Sequence, residues 1–121
     1  MTDDECAQDE ELIARIRGFD RPNVRNPEWV VRAARNARLE PAIACVIAER
    51  TPVGPSTLHT LFARLRQLQA EHGLRAGFRR YSGALGPEAD RYADHLMARL
   101  AVWRHRLGAP SEESDGRLES R

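Results

Sequence analysis

The sequence predicts an all-α protein, a single compact bundle of five or six helices with short disordered acidic termini. Apolar residues recur at helical spacing through the middle of the chain, and glycine and proline interrupt that pattern at intervals. No segment alternates as a half-buried strand does, and the apolar run 42–48 has no partner strand. A chain of 121 residues can bury about two-thirds of its surface. The predicted organisation is an acidic tail over 1–10, a helical domain over 11–109 and a disordered tail over 110–121.

Two helices are predicted before residue 40. The first covers 10–17, with its apolar residues on one face, and Gly18 ends it. Asn26 and Pro27 favour the N-cap and the first position of a second helix. Pro41 leaves two interpretations open, because it either kinks this second helix or begins a third.

The remaining helices follow a loop at 51–55. Ser56 or Thr57 is the predicted cap of the most regular helix, whose core residues are Leu58, Leu61, Phe62, Leu65 and Leu68. Gly73 ends this helix, and a shorter helix over 74–81 comes next. A final helix is predicted from Pro87 to Leu107.

The net charge of +1 conceals three regions of different charge. Residues 1–11 carry −6, residues 12–109 carry +9 and residues 110–121 carry −2. All 19 basic residues are arginine, whose guanidinium binds phosphate bidentately as an ammonium group does not. A basic helical body between acidic tails is typical of a polyanion-binding domain, and a solvated surface neutralised by its tails is the alternative.

Other classes of protein are disfavoured by the composition. The start of the chain is acidic, no run of 18 apolar residues occurs, and two cysteines cannot make a disulfide framework. These features predict a cytoplasmic protein that contacts no membrane. The four histidines lack metal-ligand spacing, and Asp90 and Asp94 are expected to form surface ion pairs. We therefore expect no metal, no cofactor, no catalytic residue and no enzymatic activity.

One binding hypothesis is a DNA-binding regulator with a helix-turn-helix over 41–68. Ser56, Thr57 and His59 stand where a recognition helix contacts base edges. Two observations count against this hypothesis. The turn is long and contains two prolines, and the second helix needs five apolar residues for packing.

A second hypothesis comes from RLRQLQAEHGLRAGFRRYSG and EADRYADHLMARLAVW, in the region 65–103. The pattern has three parts: a helix that ends in Gly73-Leu74, an aromatic helix with Phe78 and Tyr81, and a helix from Tyr92 to Trp103. This pattern resembles the small all-helical subunits of type III or type IV CRISPR effector complexes.

The resemblance implies a catalytically silent subunit that stacks on copies of itself and on other effector subunits. Its basic face would contact the phosphates of guide RNA and target nucleic acid without reading sequence. The arginines predicted to make these contacts are Arg32, Arg35, Arg38, Arg64, Arg75, Arg79, Arg80, Arg99 and Arg106.

A third hypothesis is a helical protein-interaction module that binds no nucleic acid. Its acidic N-terminus would dock on a basic partner or fold back over this chain's own arginines as a phosphate mimic. An exposed Trp29 or Trp103 would then anchor the interface, whereas the competing expectation is that both tryptophans are buried in the core.

Overall fold

The computed structural model describes residues 3–18, 24, 26–51 and 53–108, without the side chains of 3–6. Within these residues the protein is all-α, as predicted, and no strand occurs. The six helices are α1 (Asp3–Arg17), α2 (Pro27–Ala37), α3 (Pro41–Ala48), α4 (Pro55–His72), α5 (Leu74–Ser82) and α6 (Gly86–Leu107). The predicted tail 110–121 lies outside the described residues.

Helix α1 begins at Asp3, seven residues before the start predicted at residue 10. Acidic side chains are stabilised near a helix N-terminus by the macrodipole, and they extend the helix instead of fraying it. Glu11 accepts a hydrogen bond from Arg15 one turn later (2.8 Å), and Ile16 is buried in the core. The acidic residues from Asp3 to Glu11 therefore lie in the first helix.

Helices α2 and α3 are separate, which decides between the two interpretations of Pro41. Asn26 is the N-cap of α2 and Pro27 its first residue, as predicted. Arg38 ends α2 in the left-handed conformation (φ 59°), and its backbone N–H bonds to the carbonyl of Arg35. Pro41 then begins α3, in which every side chain from 42 to 48 is buried.

Helices α4 and α5 meet at one residue, Gly73, which ends α4 and caps α5 with φ 98°. The N-cap of α4 is Gly54, not Ser56 or Thr57, because Pro55 occupies the first helical position. The two helices approach closely at Gly77, where a Cβ atom would lie 2.8 Å from the Cα atom of Gln69. Glycine is therefore needed at position 77 for this packing.

Five helices form a ring around the sixth. Each of α1, α2, α4, α5 and α6 packs on the next in that order, and α6 returns to α1. Helix α3 lies inside the ring against α2 and α6. The core is centred on the fully buried rings of Phe62, Phe78 and Trp103. Among the described helices, none combines the length and the apolarity that a transmembrane segment requires.

Candidate nucleic-acid interface

The three predicted arginines of α2 do not form one basic face. Arg32 is exposed, and Arg35 is half-buried because it forms an ion pair with Asp9 of α1. Arg38 lies beyond the end of the helix, and its left-handed backbone takes it off the i, i+3 register. Positions 32, 35 and 38, spaced three residues apart, would share one face only if the helix continued through residue 38, and α2 ends at Ala37.

Two of the three predicted arginines of α5 are held by α6. Arg75 donates to Asp94 (2.8 Å), and Arg79 donates to Asp90 (2.8 Å). The hydrogen bond from Arg79 lowers the pKa of Asp90, and the bond to Asp94 raises the pKa of Arg75. The surface ion pairing predicted for the two aspartates is confirmed, and of the three arginines only Arg80 has no carboxylate of the described residues within ion-pair distance.

The two predicted arginines of α6 also serve the fold. Arg99 donates to both carboxylate oxygens of Glu49, at 2.8 and 2.9 Å. Arg106 donates from Nε to the carbonyl of Arg15 in α1 (3.3 Å), which joins the last helix to the first. Both arginines are partly exposed, but each one connects α6 to another element.

Four predicted arginines remain exposed with no carboxylate of the described residues within ion-pair distance. They are Arg32, Arg38, Arg64 and Arg80. They come from α2, its C-cap, α4 and α5, so the candidate interface spans several helices instead of one face. A guanidinium without a carboxylate partner is available to an external anion.

The sequence did not single out one further arginine, Arg50, or the contact that it makes with Tyr92. Arg50, in the turn after α3, places its guanidinium carbon 5.7 Å from the centroid of the Tyr92 ring. Tyr92 is half-buried and neighbours Tyr81, which is also half-buried and close to Arg64. The sequence carries no signal for this juxtaposition, because Arg50 and Tyr92 lie on different elements far apart in the chain.

The packing of α3 and α4 does not resemble a helix-turn-helix. In that motif the second helix packs across the first. Here α3 packs on α2 and α6, and α4 packs on α2 and α5. Helix α3 is also buried on every side, so it has no face to lay across a DNA backbone. This geometry argues against the regulator hypothesis.

Two open clefts lie beside α1, with volumes of about 410 and 360 Å³. Both are lined by Gln8, Leu12 and Pro41, and the smaller one also contacts the Asp9–Arg35 ion pair. In the part of the chain that the structure describes, no three histidine, cysteine or carboxylate side chains are grouped as metal ligands. The exposed arginines therefore remain the strongest candidate site.

Comparison with known proteins adds no further information, because no protein-family model, curated protein or solved structure matches this chain.

Proposed function

We propose that this protein is a non-catalytic nucleic-acid-binding subunit whose exposed arginines hold phosphate groups. The observation that supports the proposal is that Arg32, Arg38, Arg64 and Arg80 lack carboxylate partners among the described residues, although the fold pairs several of their neighbours. An exposed, uncompensated guanidinium retains its charge and its paired N–H donors for a phosphodiester.

The assembly we propose for it is a CRISPR effector complex, in the cytoplasm, as implied by the resemblance of region 65–103. Its partners would be other effector subunits, copies of itself, and guide RNA with target nucleic acid. Dispersed arginines suit this role, because the guide supplies sequence recognition by base pairing and the protein need only hold the backbone.

The test compares two triple variants of equal net charge. One replaces the exposed arginines Arg32, Arg64 and Arg80 with glutamine, and its matched control replaces Arg35, Arg75 and Arg79, which form ion pairs within the fold. Fluorescence anisotropy with a labelled single-stranded RNA, at about 50 and 200 mM salt, gives the affinity and its salt dependence.

We expect the first variant to lower the slope of log K against log salt by about 2, since each lost phosphate contact in a single strand contributes about 0.7. The control should change the slope by less than about 0.7. Equal slopes for the two variants, or no salt-dependent binding by the wild-type chain, would overturn the proposal.

A protein-interaction module remains the second candidate because three large apolar side chains are exposed. Trp29 is 39% exposed, Leu85 84% and Val102 37%, whereas Trp103 is fully buried. Co-purification distinguishes the two functions: an effector subunit recovers a guide RNA with its protein partners, and an interaction module recovers protein alone. In the second case nuclease treatment leaves the recovered complex intact.

A further inference from the structure

The two tyrosines of the sequence are neighbours at the surface, and each of them has an exposed arginine nearby. Tyr81 lies in the last turn of α5 and Tyr92 in the second turn of α6, and each is about half-buried. Arg64 of α4 lies close enough to act electrostatically on the Tyr81 phenol, and so does Tyr92. The Arg50 guanidinium stands over the Tyr92 ring at 5.7 Å. We call these four side chains the tyrosine–arginine row.

The phenol hydroxyls and the guanidinium groups of the row are available to donate hydrogen bonds to a ligand. Within the described residues neither phenol has a hydrogen-bond partner, and neither Arg50 nor Arg64 has a carboxylate within ion-pair distance. Burial raises the pKa of both phenols, so both hydroxyl groups remain protonated at neutral pH. The row therefore presents two neutral donors and two cationic donors.

The packing of the helices fixes the relative positions of the four side chains in the row. Its four members come from α4, α5, α6 and the turn after α3, so helix packing, not a single flexible loop, sets their spacing. The contact with the Tyr92 ring also restrains Arg50, which lowers the entropy that this long side chain loses on binding.

We infer that the tyrosine–arginine row binds successive phosphate groups along one nucleic-acid strand, with Arg64 and Arg50 as the cationic contacts and the hydroxyls of Tyr81 and Tyr92 as neutral donors. The inference rests on the proposed function, and it names the site. Hydrogen bonds from neutral hydroxyls and from guanidinium groups to phosphate carry no sequence information, and they hold the strand in register.

The first test uses the fact that both tyrosines of the chain belong to the row. In protein labelled only at tyrosine, the ring resonances in NMR spectra report on this site alone. We expect a single-stranded RNA to shift both rings saturably, and inorganic phosphate to require a far higher concentration. If inorganic phosphate binds as tightly as the strand, the ligand is a free phosphate and the inference is overturned.

The second test changes the hydroxyl groups and leaves the charge intact. Replacing both tyrosines with phenylalanine, Y81F with Y92F, should weaken strand binding about a hundredfold, since each lost hydrogen bond to a charged group is worth a factor of about ten. The salt slope should stay at the wild-type value because no cation is lost. The melting temperature should also be unchanged, because the phenols have no hydrogen-bond partner within the described residues.

Replacing both arginines of the row with glutamine, R50Q with R64Q, should instead lower the salt slope by about 1.4. The pair R75Q with R79Q is the control, because those guanidinium groups already bind Asp94 and Asp90. Salt-dependent RNA binding that survives both row variants overturns this inference and leaves the proposed function standing. Failure of the wild-type chain to bind RNA overturns both.

Discussion

Glu49 and Arg99 form a bidentate ion pair in which both carboxylate oxygens accept hydrogen bonds, at 2.8 and 2.9 Å. The Glu49 side chain is only 9% exposed, and one of its oxygens also accepts a hydrogen bond from the indole N–H of Trp103 (3.1 Å). The pair joins the end of α3 to α6, although the two residues are 50 positions apart in the sequence.

Replacing Glu49 with alanine should lower the free energy of unfolding by about 2 kcal/mol, because Arg99 and Trp103 both lose the hydrogen bonds that Glu49 accepts. Chemical denaturation monitored by circular dichroism measures the loss. Glu49→Gln is the matched variant: its amide oxygen still accepts a hydrogen bond, so its loss should be smaller. Equal losses for the two variants would show that the charge, not the acceptor, is what Trp103 and Arg99 require.

Replacing Gly77 with alanine should destabilise the protein by about 1–3 kcal/mol, which is the range for overpacking a close contact. The added Cβ atom would lie 2.8 Å from the Cα atom and 3.0 Å from the backbone nitrogen of Gln69, so α4 and α5 must separate. Thermal denaturation measures the effect. Gly54→Ala is the control, because no atom lies within 4 Å of the added group; a comparable loss there would contradict the packing argument.

The thiol of Cys45 should not react with a disulfide reagent in the native state. Cys45 is fully buried, and burial, together with the nearby charge of Glu49, raises the pKa of its thiol, so the reactive thiolate does not form. A Cys6→Ser background leaves Cys45 as the single cysteine of the sequence. Its labelling rate should follow global unfolding as denaturant is added. Rapid labelling without denaturant would show that the core around α3 opens locally.

Stability should fall in acid partly through Asp90. The hydrogen bond from Arg79 lowers the folded-state pKa of Asp90, so its stabilising contribution is complete above the unfolded pKa of about 3.9 and is lost as pH falls through the folded value. Asp90→Asn should therefore be less stable than wild type at neutral pH and close to it near pH 2. Urea denaturation across this range checks the convergence. Parallel stability curves would show that the Arg79 bond contributes nothing.

The helices could be predicted because their signals are local. Gly18, Asn26, Gly73 and Gly108 delimit helices in the structure as they do in the sequence pattern. The start of α1 could not be placed, because its acidic residues have no apolar periodicity and its anchor, Arg35, lies 26 residues beyond Asp9.

The candidate site was harder to predict than the helices for a physical reason. Whether an arginine is available to an anion depends on carboxylates that folding brings near it, and these lie 11 residues away for Arg79 and 50 for Arg99. Sequence spacing places Arg75, Arg79 and Arg80 on one helix, but it does not reveal which of them are neutralised. The same limitation hid the contact between Arg50 and Tyr92.

The enclosure of α3 has a consequence for the order in which the molecule assembles. A helix of eight residues is unstable alone in water, so α3 needs α2 and α6 around it before it can persist. Because α6 follows α3 by nearly 40 residues, synthesis must bring the chain almost to residue 107 before this centre can close. The amide protons of α3 should accordingly be among the slowest to exchange with deuterium, with protection that approaches the stability of the whole domain.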